Sequence, residues 1–128
     1  MVSCYLSCME TINLGRAGED AALEWLQHRG MTLLERNWRS GHYELDLVME
    51  YCGTIRIVEV KSLRESDGFD PTANMTPEKC RRIVRAARRF LADNPGGKEV
   101  CFDVVAVLFC NGTPRITYIP SAFLPIHM

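Results

Sequence analysis

The sequence predicts a mixed α/β fold, a central β-sheet flanked by helices in the order α-β-β-β-α-β-β. Three observations carry that expectation. Apolar residues recur at helical spacing from Leu14 to Arg29, and residues 43–50 alternate with the period of two that a strand requires. An amphipathic segment from Thr76 to about Asp93 then separates this early hairpin from two further apolar stretches. Hairpin strands followed by a crossover helix imply a mixed sheet, because parallel neighbours need a long connection.

Taken in order, the first helix carries its stripe on Leu14, Ala17, Gly18, Ala21, Ala22, Trp25 and Leu26, with Asn13 as the expected cap and Gly30 as the expected stop. Met31 to Arg39 is extended, and Ser40-Gly41 turns the chain. Tyr43, Leu45, Leu47 and Met49 alternate with Glu44, Asp46, Val48 and Glu50. Tyr51-Cys52-Gly53 makes a second turn into a strand from Thr54 to Lys61, rich in β-branched residues. Ser62 to Met75 is polar, contains Gly68 and Pro71, and is expected to be a loop. Thr76-Pro77-Glu78 offers a hydroxyl cap, a first-turn proline and an acid at the positive dipole end. Asn94-Pro95-Gly96-Gly97 breaks that helix. Val100 to Phe109 is an apolar strand interrupted only by Asp103, and Arg115 to Ile119 a short final one.

Composition narrows the classes. The chain has 128 residues, 47% apolar and 24% charged, which suits one domain with a real core and argues against disorder. No apolar run is long enough to span a bilayer, and the first 13 residues lack the pattern of a secretory signal. A soluble, cytoplasmic protein is expected. Residues 1–8 have neither helical nor strand pattern, so Met9 is a candidate start. The six cysteines, Cys4, Cys8, Cys52, Cys80, Cys101 and Cys110, include no CxxC pair, and reduced structural thiols are the expectation. His28, His42 and His127 lie far from any cysteine pair that could complete a zinc site.

The small net charge of −1 hides an asymmetry. Residues 1–70 carry 7 basic and 12 acidic side chains, and residues 71–128 carry 8 and 4, six of the eight between Lys79 and Arg89. Such halves either pair internally or build a metal site beside a polyanion-binding surface. Arg81, Arg82, Arg85, Arg88 and Arg89 share one helical face, opposite Ile83, Val84, Ala87, Phe90 and Leu91. Arginine makes bidentate phosphate contacts, so the face suits nucleic acid; a solvated or internally paired face is the alternative. There is no helix-turn-helix, zinc-finger or RNA-recognition signature, so backbone or shape recognition is expected.

The acidic half holds the informative spacing, Asp46 on one strand and Glu59-Val60-Lys61 on the next. Glu59 and Lys61 share a face by strand parity, as do Glu44 and Asp46. A hairpin around Cys52-Gly53 brings Asp46 towards Glu59, where two carboxylates repel unless a cation intervenes. Mg²⁺ takes oxygen ligands and keeps several waters. Lys61 would then stabilise negative charge developing on a phosphate. By spacing alone, an exposed hairpin face with a Glu–Lys pair is the commoner outcome, although Asp is depleted in strand interiors. Glu19 follows Gly15 and Gly18, whose presence in a helix suggests close approach to the sheet. Glu19 is then either at the mouth of the carboxylate pair or a first-turn acid favoured by the dipole.

Gly15-Arg16-Ala17-Gly18-Glu19, Arg36-Asn37, Glu44-Leu45-Asp46-Leu47-Val48 and Val58-Glu59-Val60-Lys61 together resemble the YraN-like family of small bacterial proteins. The resemblance continues through Lys79, Phe90-Leu91, Phe102-Asp103-Val104-Val105 and Ala122-Phe123, covering residues 13–124. That family is similar to archaeal Holliday junction resolvases. The resemblance implies a restriction-endonuclease-like fold over residues 1–128, with residues 1–12 as a loose extension. It implies a PD-(D/E)xK site in which Asp46, Glu59 and Lys61 are the motif residues and Glu19 the helix acid. Asp46, Glu59 and Glu19 would hold Mg²⁺ or Mn²⁺, and DNA, branched or single-stranded, would be the substrate in repair or recombination. Lys79, Arg82, Arg85, Arg89 and Arg64 are the candidate nucleic-acid contacts, and a homodimer without membrane association is expected. Tyr43 stands where the family commonly has Gly, and Leu63 where it commonly has Arg. The competing readings are a non-catalytic nucleic-acid-binding module and an interaction domain pairing its acidic and basic halves between subunits.

Overall fold

The computed structural model describes residues 10–64 and 75–125, with side chains from residue 14. Helix α1 spans Glu10–His28, followed by strands β1 (Thr32–Ser40), β2 (Tyr43–Tyr51) and β3 (Thr54–Arg64). Helix α2 spans Pro77–Asp93 and leads into β4 (Glu99–Cys110) and β5 (Thr113–Phe123). The order α-β-β-β-α-β-β is the one the sequence predicts. The strands lie in one sheet in sequence order, and only β3 and β4, joined through α2, run parallel.

Local chemistry sets the joints. Gly30 (φ 91°) closes α1: its amide donates to Gln27 O and the Met31 amide to Leu26 O, a left-handed helix stop. Cys52 and Gly53 (φ 49° and 79°) link β2 to β3, and Asn111 and Gly112 (φ 52° and 82°) link β4 to β5, both two-residue turns matching strand twist. Thr76 caps α2 by accepting the Lys79 amide at 3.2 Å, with Pro77 in the first turn.

Helices cover both faces of the sheet. Ala22 and Leu26 of α1 pack with Leu47, Met49, Val58, Val105 and Val107. Ile83, Val84, Ala87 and Phe90 of α2 pack with Leu45, Val48, Ile55, Ile57 and Phe102. The apolar stripe expected on α2 is therefore its buried face.

Several boundaries differ from expectation. Helix α1 begins at Glu10, so Asn13 lies inside it and is no cap. Strand β3 continues to Arg64 because it is held by β4 along its whole length. Strand β5 reaches Phe123 despite Pro114 and Pro120, which an edge strand tolerates. Strand β2 has no single buried face. Leu45 and Val48 face α2 while Leu47 and Met49 face α1, so the alternation breaks at Asp46. Cys52, Cys80 and Cys101 are free thiols, and Cys80 and Cys110 are buried. Cys4, Cys8, the Met9 start and most of the loop expected over 62–75 lie outside the described residues. No helix among the described residues is long and apolar enough to cross a membrane.

Candidate active site

The break in β2 builds the site. The β2–β3 ladder holds from Tyr51↔Thr54 to Leu47↔Val58; the next rung would set Asp46 opposite Glu59. There the strands part, and Asp46 Oδ2 accepts the Val60 amide at 2.9 Å in place of a main-chain carbonyl. On the other side, Asn37 (φ 52°) lies between the pairs Arg36↔Leu47 and Trp38↔Leu45, so β1 and β2 change their facing together. A left-handed asparagine is the residue type that permits this.

The parting opens a cavity of about 490 Å³, lined by Asp46 and Glu59, by Tyr43 and Glu44, and by Lys79 and Arg82 from the first turns of α2. Asp46 is pushed up to about 8: burial disfavours its charge, the neighbouring Glu59 carboxylate repels it, and only the Val60 amide pulls the other way, with Glu19 adding a smaller repulsion. Lys79 Nζ sits 2.8 Å from Glu59 Oε2. An ammonium thus already balances one of the two carboxylates.

The other predicted residues are placed less centrally. Lys61 is half-buried on β3, two residues beyond Glu59, and is not among the residues lining the cavity. Glu19 also stands off the cavity wall; its carboxylate is 3.5 Å from Arg36 Nε, while Arg36 Nη2 holds Asp20 at 2.7 Å. Helix α1 does approach the sheet closely at Gly18, where a methyl group would overlap the Ser62 hydroxyl. Arg82, Arg85 and Arg89 are exposed, and neither they nor Arg81 form an ion pair among the described residues. Arg64 is half-buried and Leu63 is buried, so position 63 presents no polar group to a ligand. Tyr43 packs against the α2-side core at the cavity rim. Among the described residues, no three His, Cys, Asp or Glu side chains converge as a ready ligand set.

A second polar centre lies apart from this cavity. Asp103 is fully buried and accepts from Tyr118 Oη at 2.6 Å, the Ser121 amide at 2.9 Å and Arg56 Nη1 at 3.2 Å. The bulge that sets Phe102↔Phe123 against Val104↔Ile119, with Ser121 at φ 48°, aims that amide inward. A lone acid inside the apolar run 100–109 was the available sequence signal for this centre. Its partners Arg56 and Tyr118, distant in sequence, gave none.

Comparison with known proteins places the chain. The family model described as "Uncharacterised protein family UPF0102" matches residues 18–107. A UPF0102 protein of Bacteroides fragilis is 41% identical over 112 residues, 88% of this chain and 93% of the relative. One from Ralstonia nicotianae is 43% identical over 114 residues, 85% of each chain. One from Oleidesulfovibrio alaskensis is 45% identical over 103 residues, 79% of this chain and 50% of that longer relative. With most of its length matched in this way, the chain belongs to the uncharacterised protein family UPF0102.

Proposed function

We propose that the protein is a metal-dependent nuclease that hydrolyses DNA phosphodiester bonds, on branched or single-stranded substrates and as a homodimer. The observation that carries the reading is one cavity in which Asp46 and Glu59 meet Lys79 and Arg82, at the start of an exposed arginine face. The family's resemblance to archaeal resolvases with a PD-(D/E)xK site points the same way.

The residues fit a hard divalent cation. Asp46 and Glu59 supply carboxylate oxygens; burial is the larger cause that raises Asp46, and the repulsion from Glu59 that adds to it is what a cation relieves. Mg²⁺ characteristically uses one or two carboxylates, water and substrate phosphate, so two protein ligands suffice. Such an ion supplies Lewis acidity and lowers the pKa of bound water. Asp46 is fixed in direction by the Val60 amide. Glu59 is oriented by Lys79, which on substrate entry is free to turn to a phosphate. Lys61, on the same β3 face as Glu59, stabilises charge developing on the scissile phosphate. Arg82, Arg85 and Arg89 lead the strand away along α2, reading backbone charge and not sequence. Glu19, tied to Arg36, acts on Asp46 through its field.

The non-catalytic alternative draws support from the same pairings, since Glu19 and Glu59 are both already balanced by bases. Pure protein assayed with Mg²⁺ or Mn²⁺ on junction, flap, single-strand and duplex DNA separates the two. Wild type should cleave at least one substrate, while Lys61→Ala should bind metal and DNA but not cleave. Binding without cleavage by wild type on every substrate would leave the binding module.

A further inference from the structure

On the α1 side of the sheet, just past the C-terminal end of α1, lies a second cavity of about 330 Å³ that the proposed reaction does not use. It is lined by Arg29, Met31, Tyr51, Arg56, Tyr118 and Pro120. Two guanidinium groups facing one small cavity repel each other, and the structure offsets only one of them. Arg56 Nη1 donates to Asp103, 3.2 and 3.5 Å from its two oxygens, so those charges balance. Arg29 lies with its guanidinium carbon 4.6 Å from the centre of the Trp25 ring and has no acid partner among the described residues. The cavity therefore keeps a net positive charge.

Hydrogen bonding at Arg56 points the same way. Nε and Nη2 form the side-on edge of a guanidinium, the edge that grips an oxyanion through two parallel bonds. Among the described residues, Arg56 Nε is buried with no hydrogen-bond partner, while Nη1 is committed to Asp103. A buried donor left unsatisfied costs about 1–3 kcal/mol, so native structures seldom retain one without a use. The rest of the wall is apolar or aromatic: Met31 is buried, Tyr51 exposed, and Tyr118 already donates its hydroxyl proton to Asp103.

We propose that this cavity binds a small oxyanion, the phosphate or carboxylate of a compact molecule, between Arg29 and Arg56. The apolar remainder of the ligand lies against Met31, Tyr51 and Pro120. Asp103 holds the Arg56 guanidinium in place from behind, and Trp25 supports Arg29 from below. The site is independent of the proposed nuclease chemistry, since none of its lining residues belongs to the Asp46 cavity.

The test uses the full chain and two probes, inorganic phosphate and benzoate, titrated at constant ionic strength while arginine Nε–Hε signals are followed by NMR. The Arg56 signal should move saturably with at least one probe. A response to phosphate assigns a phosphate ester, and a response to benzoate assigns a carboxylate on a flat apolar group. Arg29→Ala, at a surface position whose loss spares the core, should weaken the saturating response about tenfold or more. Arg56→Lys, which keeps the charge but loses the fork, should do the same; if it fails to fold, Arg29→Ala alone decides. No saturable movement with either probe, or equal affinity in Arg29→Ala, overturns the proposal.

Discussion

The carboxylate of Asp46 occupies a place in the β2–β3 ladder, accepting the Val60 amide at 2.9 Å where a strand carbonyl would otherwise stand. The pKa of the same side chain is raised by burial and by Glu59. One residue thereby ends the strand pairing and, in the proposed function, is the one that would offer an oxygen to a cation.

The Asp46 shift fixes the sign of a pH dependence. Its folded-state value, about 8, lies above its ordinary 3.8, so the folded metal-free chain binds the proton more tightly than the unfolded chain. The resulting stability is present below pH 3.8 and is lost as pH rises towards about 8. Thermal melts of the metal-free protein between those limits should show a falling Tm. Asp46→Asn keeps an oxygen for the Val60 amide and should flatten the fall, with higher stability near neutral pH. A wild-type Tm unchanged over that interval contradicts the assignment.

Lys79 competes with any divalent ion for Glu59, its Nζ being 2.8 Å from the carboxylate. Lys79→Ala should therefore tighten Mg²⁺ or Mn²⁺ binding several-fold in calorimetric titration, by removing a charge of the same sign. The same variant should bind DNA more weakly. Weaker metal binding would mean that Lys79 only holds Glu59 in position.

The arginine face should govern DNA affinity independently of the metal. Replacing Arg82, Arg85 and Arg89 together with Ala should weaken binding and reduce the slope of log K against log salt by about 0.7–0.9 for each phosphate no longer neutralised. These side chains are exposed, so the Tm should scarcely move. An unchanged slope would show that the face stays in solvent.

Asp103 should prove structural. Asp103→Ala leaves the Arg56 charge, 18% exposed, without its partner and strips Tyr118 and the Ser121 amide of their acceptor. A loss of about 3–5 kcal/mol in denaturant unfolding is expected for breaking such a buried pair. Divalent-ion binding at Asp46 should persist in whatever fraction remains folded.

The element order was legible because its signals are local: the helical stripe ending at Gly30, the Thr76-Pro77-Glu78 start, and the Cys52-Gly53 turn. Asp46 and Glu59 were legible as neighbours because their hairpin register follows from its turn. The swap of faces at Asp46 was not, because helices on both sides bury Leu47 and Val48 alike and erase the period-two contrast. Nor were the pairings of Glu19 with Arg36 and Glu59 with Lys79, which depend on how far each helix slides along the sheet. Pro114 and Pro120 concealed the length of β5, since a proline stops a central strand but not an edge.

Gly18 sets the distance at which α1 rests on β3, and its missing methyl group is the clearance that Ser62 fills. That approach works as a shim of zero thickness beneath the middle of the helix carrying Glu19. Any side chain there would wedge the helix away from the sheet, Ser62 Cβ being only 3.0 Å from the added carbon. Glu19 would retreat with it, and its share of the repulsion on Asp46 would fade. A single carbon atom, placed on neither carboxylate, would thus retune the acid by moving the lever that carries its neighbour.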